Sequence, residues 1–260
     1  MSIDDARLRF ATELAREAGA LARRMRRERG ADFVQAKGPQ DFVTEADRAV
    51  ERFIDARVEA AYPGEAHLGE ENGHAPGGAV CWVIDPIDGT NNYMRGMADW
   101  GISIGIAQGE AITHGVIHLP DHGLTAVAAS GQGAFVNDEP IHVSACAQPK
   151  QAMIALGHSG RVNLADYLDT VARVSEAGME HRRPGAAVIS LMGVAAGWTE
   201  AYYEAHLNAW DAFAGIVLVR EAGGVVACAP ADRFLTNGSA LIASNGRLPD
   251  LEALITRDRA

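Results

Sequence analysis

The stretch CWVIDPIDGTNNY, residues 81–93, constrains the fold more than any other part of the chain. Its first part continues the near-continuous apolar run AVCWVI, which is typical of a buried strand. Asp85 and Asp88 follow directly, and charges at the end of a buried strand are costly unless something neutralises them. The segment therefore predicts a buried strand that ends at a cation site.

The hexapeptide DPIDGT supports this interpretation through its backbone. Pro86 fixes its own φ and biases Asp85 toward an extended conformation, and the turn that follows lets both carboxylates and the Ile87 carbonyl face one point. If a helix begins at Gly89 and Thr90, its N–H groups form an anion site. Hard oxygen ligands beside such a site favour Mg²⁺ and a phosphorylated substrate. The structural alternative is an aspartate cap followed by a glycine turn.

Three other acidic segments are candidates for the same site. HLGEEN contains Glu70 and Glu71, which are ordinary surface charge if taken alone. LNAWDAFAG places Asp211 at the start of an apolar helix, where a simple cap is the structural alternative. DFVTEAD has Thr44 and Asp47 at the spacing of a capping box, so a structural role for Asp47 stays open.

Two other aspartate motifs do not fit the hexapeptide. An EF-hand loop needs acids or amides at alternate positions, and Ile87 and Gly89 occupy them here. Haloacid-dehalogenase phosphatases separate their two aspartates by one residue, whereas two residues intervene here. His114 and His118 lie in a strand-like segment, so we expect ordinary core or surface histidines rather than a catalytic pair.

Composition limits the remaining functions. Asp and Glu exceed Lys and Arg by 34 to 23, and the net charge of −11 argues against a broad nucleic-acid-binding surface. No apolar run reaches the ~18 residues of a membrane span, and the start MSIDDARLRF is unlike a signal peptide. Three widely separated cysteines indicate free thiols in a reducing compartment. We therefore expect a cytoplasmic protein without nucleic-acid or membrane partners.

The order of the predicted elements indicates a layered fold. Apolar spacing predicts amphipathic helices over residues 4–29 and 45–62, with the loop KGPQDFV between them. Short β-rich segments follow, including a hairpin at FVNDEPIHV, and beyond about residue 150 strands alternate with helices. This pattern predicts an α/β or α+β fold. We expect two tightly packed subdomains, residues 1–145 with most metal ligands and 146–260 with Asp211 and the residues that set substrate specificity.

Together, GEE, DPIDGTNN, AWD and DFVTEAD resemble the Mg²⁺-dependent, lithium-sensitive inositol monophosphatase family. The resemblance covers residues ~35 to ~230 and rests mainly on the central hexapeptide. It implies a five-layer αβαβα sandwich of the inositol monophosphatase and fructose bisphosphatase type, commonly a homodimer. It also implies hydrolysis of a small phosphate monoester with two to three Mg²⁺ ions per active site.

The resemblance further implies roles for individual residues. The metal ligands would be Glu70, Asp85, the Ile87 carbonyl, Asp88 and Asp211. The catalytic residues would be Glu70, Thr90 and Asp47, with Glu70 and Thr90 beside the attacking water and Asp47 helping to organise it. The substrate-binding residues would be Asp88, Gly89, Thr90, Gly185, Ala186, Ala187, Glu204 and Asp211.

Charge and substrate chemistry complete the expectation. Four carboxylates in one cleft would repel a phosphate monoester, so metal occupancy decides whether the substrate binds. A metal pair can activate a water and stabilise the leaving oxygen without a side-chain nucleophile. Glu204 matches a residue that binds inositol hydroxyls, which favours myo-inositol 1-phosphate and related polyol phosphates. Histidinol-phosphate phosphatase, another sugar or nucleotide phosphatase, and a regulatory protein-binding role on the same fold stay open.

Overall fold

The computed structural model describes residues 5–29, 34–38, 41–73 and 79–256. Within these ranges, the α-helices are α1 Ala6–Glu28, α2 Glu45–Ala61, α3 Thr90–Met94, α4 Leu164–Glu176, α5 Ala187–Ala195, α6 Ala209–Glu221, α7 Ala231–Asn237 and α8 Leu251–Thr256. The strands are β1 Val34–Gly38, β2 Asp41–Thr44, β3 Ala66–Gly69, β4 Val80–Asp88, β5 Gly101–Gln108, β6 Ala111–Leu119, β7 Leu124–Ala129, β8 Ala134–Val136, β9 Glu139–Pro140, β10 Met153–Leu156, β11 Glu180–Arg182, β12 Ala201–Leu207, β13 Val225–Ala227 and β14 Ser239–Ser244.

The strands form a large and a small sheet besides the pair β1–β2. The large sheet has seven strands in the order β3-β4-β5-β6-β7-β8-β9, and only β3 and β4 are parallel. The small sheet has the order β11-β10-β12-β14-β13, with β10 parallel to both of its neighbours. The predicted hairpin at FVNDEPIHV is confirmed, because Asn137 and Asp138 both adopt positive φ between β8 and β9.

Helices cover both faces of each sheet, which gives five layers. The amphipathic helices α1 and α2 bury residues such as Leu14 and Ile54 against the outer face of the large sheet. α5 and α6 lie between the two sheets, and α6 is apolar almost all round, as a buried helix must be. α4 and α8 pack on the outer face of the small sheet. The predicted αβαβα sandwich is therefore confirmed.

The backbone of α6, in the middle layer, packs directly against the backbone of the large sheet. A Cβ added at Gly115 would lie 2.2 Å from the carbonyl oxygen of Ala214 in α6. Gly105 is the register partner of Gly115 on β5, so two adjacent strands present no side chain there. The Ser103 hydroxyl also donates to the Trp210 carbonyl at 2.9 Å. These contacts fix the first turn of α6, which carries Asp211.

Some elements differ from the prediction. The segment KGPQDFV was expected to be a loop, but its described residues belong to β1 and β2, which pair antiparallel. Strands this short contain no long apolar run, so the sequence pattern does not reveal them. α7, α8 and β11 are also short and were not predicted. The division into 1–145 and 146–260 stays a prediction. No described helix is both long and apolar enough to span a membrane.

Candidate active site

A bulge in β4 brings its two aspartates to one side of the large sheet. Asp85 pairs with Ser103 and Asp88 with Gly101, so β4 takes three steps where β5 takes two. Residues three apart in a regular strand point to opposite faces, and one extra residue reverses this. Pro86 fits such an irregularity because it has no N–H to pair. The expectation that the aspartates follow the strand is thus corrected, because both lie within β4.

Asp211 joins these two aspartates from the opposite half of the chain. Carboxylate oxygens of Asp85, Asp88 and Asp211 lie within 4.8 Å of one another. Asp211 also accepts the N–H of Asn208 at 2.8 Å, so it caps α6 and belongs to the cluster at once. Oxygen donors at this spacing could hold a hard divalent cation.

Burial and mutual repulsion dominate the electrostatics of the cluster. The pKa of Asp85 is raised well above its usual value by burial, then by the charges of Glu70 and Asp88. Burial and the charge of Asp211 raise the pKa of Asp88 in the same way. Burial raises the pKa of Asp211 to about 6. A nearby cation would remove this repulsion and favour the ionised forms.

Backbone amides hold Asp88 against the predicted sugar-binding loop. Asp88 Oδ2 accepts the N–H of Val188, at the start of α5, at 2.6 Å. The preceding residues Gly185, Ala186 and Ala187 line the cavity beside Asp88. Asp88 thereby satisfies a helix-terminal N–H that would otherwise be orphaned. The structure brings this predicted loop to the acidic cluster from 100 residues away.

Asp47 and Thr90 meet beside the Ile87 carbonyl. The Thr90 hydroxyl lies 3.1 Å from both Asp47 Oδ1 and the Ile87 carbonyl oxygen. A hydroxyl has one proton, so Thr90 can donate to only one of these two acceptors at a time. Asp47 also accepts the N–H of Thr44 at 2.8 Å in a capping box of α2. Its capping role and its contact with Thr90 are therefore compatible.

The turn after the hexapeptide is tied to the same loop. Gly89 adopts φ +86° as the N-cap of α3, and a Cβ there would lie 3.0 Å from the Ala186 Cβ. Asn92 donates to the Pro184 carbonyl at 2.9 Å and to the Asp99 carbonyl at 2.7 Å. The predicted residues Gly89 and Thr90 are thus positioned at the start of α3, next to the start of α5.

Glu70 lies in the turn after β3, outside the group of three clustered aspartates among the described residues. It is nevertheless the side-chain charge with the largest effect on the pKa of Asp85. The edge strand β3 runs parallel to β4, so its carboxyl end meets the same edge of the sheet as the bulge. The structure therefore brings Glu70 to the side of the cluster next to Asp85.

Sequence reasoning missed Glu51, which holds the Glu70 turn in place. Glu51 is fully buried on α2, and its carboxylate accepts the N–H groups of Glu71 and Asn72, each at 2.7 Å. Burial raises its pKa, and these two amides lower it. A glutamate one turn after Asp47 on a helix with an apolar inner face was the signal that could have revealed it.

Glu204 lines the cavity beside the acidic cluster. The cavity has a volume of about 190 Å³ and is bounded by Asp88, Asp211 and the inner face of the small sheet. The Tyr202 hydroxyl, two residues earlier on β12, donates to Glu204 Oε2 at 2.6 Å. Burial raises the pKa of Glu204 to about 7, and this hydrogen bond partly opposes the rise.

The two histidines outside the site have structural contacts. His114 bonds to Thr113 and Asp5, and His118 bonds to Thr125. Burial lowers the pKa of His118 to about 4. These contacts agree with the prediction that both are ordinary core or surface histidines.

The five-layer sandwich with a buried carboxylate cluster between its sheets defines an α/β protein with a candidate metal centre. The model of the inositol monophosphatase family matches residues 4–259, so the chain belongs to that family. Its members act on small phosphate substrates with the help of metal ions.

The known proteins that resemble this chain include some named inositol-1-monophosphatase and others named SuhB. It is 38% identical to an inositol-1-monophosphatase of Rhizobium meliloti, covering 74% of this chain and 73% of the relative. It is 35% identical to Nus factor SuhB of Pseudomonas aeruginosa, covering 96% and 94%. The crystal structure of the extragenic suppressor protein suhB from Bartonella henselae superposes with a TM-score of 0.89 at 32% identity, covering 98% of this chain and 100% of that one.

Proposed function

We propose that the protein is a Mg²⁺-dependent phosphomonoesterase that hydrolyses myo-inositol 1-phosphate and related polyol phosphates. The convergence of Asp85, Asp88 and Asp211 beside a cavity that contains Glu204 carries the proposal. Membership of the inositol monophosphatase family supports it.

The proposed metal site uses the residues predicted from the sequence. Glu70, Asp85 and the Ile87 carbonyl would hold one Mg²⁺, and Asp85, Asp88 and Asp211 would hold another. A third ion could offset the charge of the substrate phosphate. Carboxylate and carbonyl oxygens are the donors that Mg²⁺ prefers. Bound Mg²⁺ supplies the positive charge that lowers the pKa of a nearby water and stabilises the leaving oxygen.

Side chains and backbone amides of the protein would position the attacking water and the phosphate group. Glu70 and Thr90 would hold the attacking water, and Asp47 fixes the Thr90 hydroxyl by their contact at 3.1 Å. The amides of Gly89 and Thr90 would donate to the phosphate oxygens. The charge of Glu70 acts on Asp85, so the Glu70 carboxylate would be placed to accept a proton from the water.

Substrate recognition would use the opposite wall of the cavity. A carboxylate accepts hydrogen bonds from neighbouring hydroxyl groups, which suits Glu204 to a polyol. The backbone of Gly185, Ala186 and Ala187 would contact the rest of the substrate from the side of α5. We further propose a homodimer, a cytoplasmic location and inhibition by millimolar Li⁺.

Phosphate release from a panel of esters tests this function directly. With Mg²⁺, we expect a higher kcat/KM on myo-inositol 1-phosphate than on histidinol phosphate or nucleotide monophosphates. Glu204→Gln should reduce the rate on the inositol ester far more than the rate on histidinol phosphate. A preference for histidinol phosphate, or for another sugar or nucleotide ester, would show that the proposed substrate is wrong. The proposed phosphomonoesterase activity would stand. No release from any ester would contradict the proposal.

A regulatory protein-binding role is the second candidate. Its support is the name Nus factor SuhB carried by relatives that match this chain. The variant Asp88→Asn separates the two functions, because it should stop turnover and leave a binding surface intact. A specific partner that is captured equally by the wild type and this variant would establish the second role.

A further inference from the structure

Two exposed arginines line the same cavity as Asp88 and Asp211. On the basis of the proposed phosphatase function, we propose that Arg161 and Arg183 form a subsite for a second anionic group of the substrate. Besides the polyol phosphates proposed above, the enzyme would then hydrolyse an ester that carries another phosphate or a carboxylate faster than a matched ester without that group. We call this pair of residues the basic mouth.

Arg183 provides a cation without a partner. It is exposed in the loop before α5 and lines the cavity. Within the part of the chain that the structure describes, it forms no hydrogen bond or ion pair. Its charge opposes the rise in the pKa of Glu204, so the guanidinium lies within electrostatic reach of the inner wall. A ligand entering beside Glu204 therefore meets five unused N–H donors.

Arg161 approaches the same space from the loop after β10. Its guanidinium donates to Asn208 Oδ1 at 3.1 Å. Asn208 lies three residues before Asp211. Burial lowers the pKa of His206, which also lines the cavity, and the charge of Arg161 lowers it further. The same charge tends to lower the pKa of Asp211. One bond to Asn208 leaves most of its donors available. Arg161 therefore lies between the acidic cluster and solvent.

The charge balance of the loaded site favours an additional anion. Once cations neutralise the clustered aspartates, the charged side chains that remain on the cavity wall are Glu204, Arg161 and Arg183. A neutral polyol has no group that requires two guanidinium groups. Phosphate and carboxylate match the planar fork of an arginine and bind it with two hydrogen bonds. If the arginines only offset the aspartates, they would help all esters equally.

Matched substrate pairs separate these two explanations. The first pair is 3-phosphoglycerate and glycerol 3-phosphate, which differ by a carboxylate. The second is fructose 1,6-bisphosphate and fructose 1-phosphate, which differ by a phosphate. The variants are Arg161→Gln and Arg183→Gln, and the control is Arg182→Gln. Arg182 is exposed, bonds to Glu180 and does not line the cavity.

We expect the wild type to show a higher kcat/KM on the anionic member of at least one pair, and the pair identifies the group. Each arginine variant should lower that value about tenfold or more, as expected for a charge-assisted hydrogen bond. The neutral ester should lose clearly less, the preference should fall as salt rises, and Arg182→Gln should match the wild type.

Three results would overturn the inference. They are hydrolysis of the neutral esters without preference for the anionic ones, equal losses on both members of a pair, and an equal loss in Arg182→Gln. All three leave the phosphatase proposal standing. If the enzyme hydrolyses none of these four esters and does not hydrolyse inositol phosphate either, both proposals are wrong.

Discussion

The acidic floor of the cavity, formed by Asp85, Asp88 and Asp211, and its basic mouth are held in different ways. Each aspartate of the floor accepts a backbone N–H, from Ile87, Val188 and Asn208, at 3.0, 2.6 and 2.8 Å respectively. The arginines of the mouth are long exposed side chains. Among the described residues, Arg161 bonds to Asn208, whereas Arg183 has no bonding partner. A catalytic metal needs fixed ligands, whereas selectivity can rest on side chains that adjust to the substrate. We infer that the chemistry is fixed by the backbone and the selectivity by the surface.

Removing one carboxylate from the acidic floor should have the largest effect. Asp88→Asn keeps an oxygen that can accept the Val188 N–H, so the fold should persist. The charge needed for a divalent cation is lost, and we expect kcat to fall by about 10³-fold or more. Phosphate release and the thermal shift produced by Mg²⁺ measure the two losses. Near-wild-type turnover would show that the floor is not the metal site.

Glu51→Gln tests whether the Glu70 turn needs its buried anchor. The amide of glutamine presents an NH₂ group to one of the two N–H groups that Glu51 now accepts. Removing such an outer partner typically costs about 10–100-fold in metal affinity or activity. We expect the Mg²⁺ concentration for half-maximal activity to rise, and the Mg²⁺-induced thermal shift to shrink.

The matched control for Glu51 is Glu59→Gln on the same helix. Glu59 is exposed and contributes only a loose contact to His67. The Glu59→Gln variant should leave the Mg²⁺ dependence of the activity unchanged. If Glu51→Gln lowers the melting temperature without altering the Mg²⁺ dependence, its role is in folding alone.

Tyr202→Phe should affect binding more than turnover. The variant removes the hydrogen bond from the Tyr202 hydroxyl to the Glu204 carboxylate but keeps the aromatic ring in the core. Because this bond acts on the substrate only through Glu204, we expect a loss of about 0.5–1.5 kcal/mol, which corresponds to about a 2- to 10-fold rise in KM for inositol phosphate. The variant should have little effect on glycerol 3-phosphate, which has fewer hydroxyl groups to recognise. Equal changes on both esters would place the effect in the acidic floor.

The stability of the metal-free protein should depend on pH. Folding raises the pKa of Asp211 to about 6 and of Glu204 to about 7, so the folded state binds these protons more tightly than the unfolded state. This contribution is complete below their unfolded values and is lost as pH rises through about 6 to 7. We expect melting in EDTA to occur at least about 3 °C lower at pH 8 than at pH 6.

Two controls sharpen this experiment. Mg²⁺ should raise the melting temperature most at pH 8, because it neutralises the acidic floor. Asp88→Asn should weaken the dependence on pH in EDTA, because one repelling charge is gone. His118 works in the opposite direction, since burial lowers its pKa to about 4, but its effect is largely over above its usual value of 6.5. A melting temperature that rises from pH 6 to pH 8 would contradict the prediction.

Much of the site could be predicted from short segments of sequence. Asp85 and Asp88 lie together after an apolar run, and the helix starts at Thr44 and at Asn208 follow local capping chemistry. The long helices have strong apolar periodicity, so their positions were predictable to within a few residues. Short strands and helices such as β1 and α7 were not, because their pairing and packing leave little pattern in the sequence.

The sequence by itself determined which residues can bind a cation and where the long helices and strands run, because both depend on neighbours close along the chain. The tertiary structure alone decided that β4 contains a bulge, that Glu51 anchors the turn of Glu70, and that α5 donates to Asp88. These features join segments between 13 and 100 residues apart, from the Asp88–Gly101 pair to the Val188–Asp88 bond. The free energy of such contacts depends on burial and geometry, which exist only once the layers have packed.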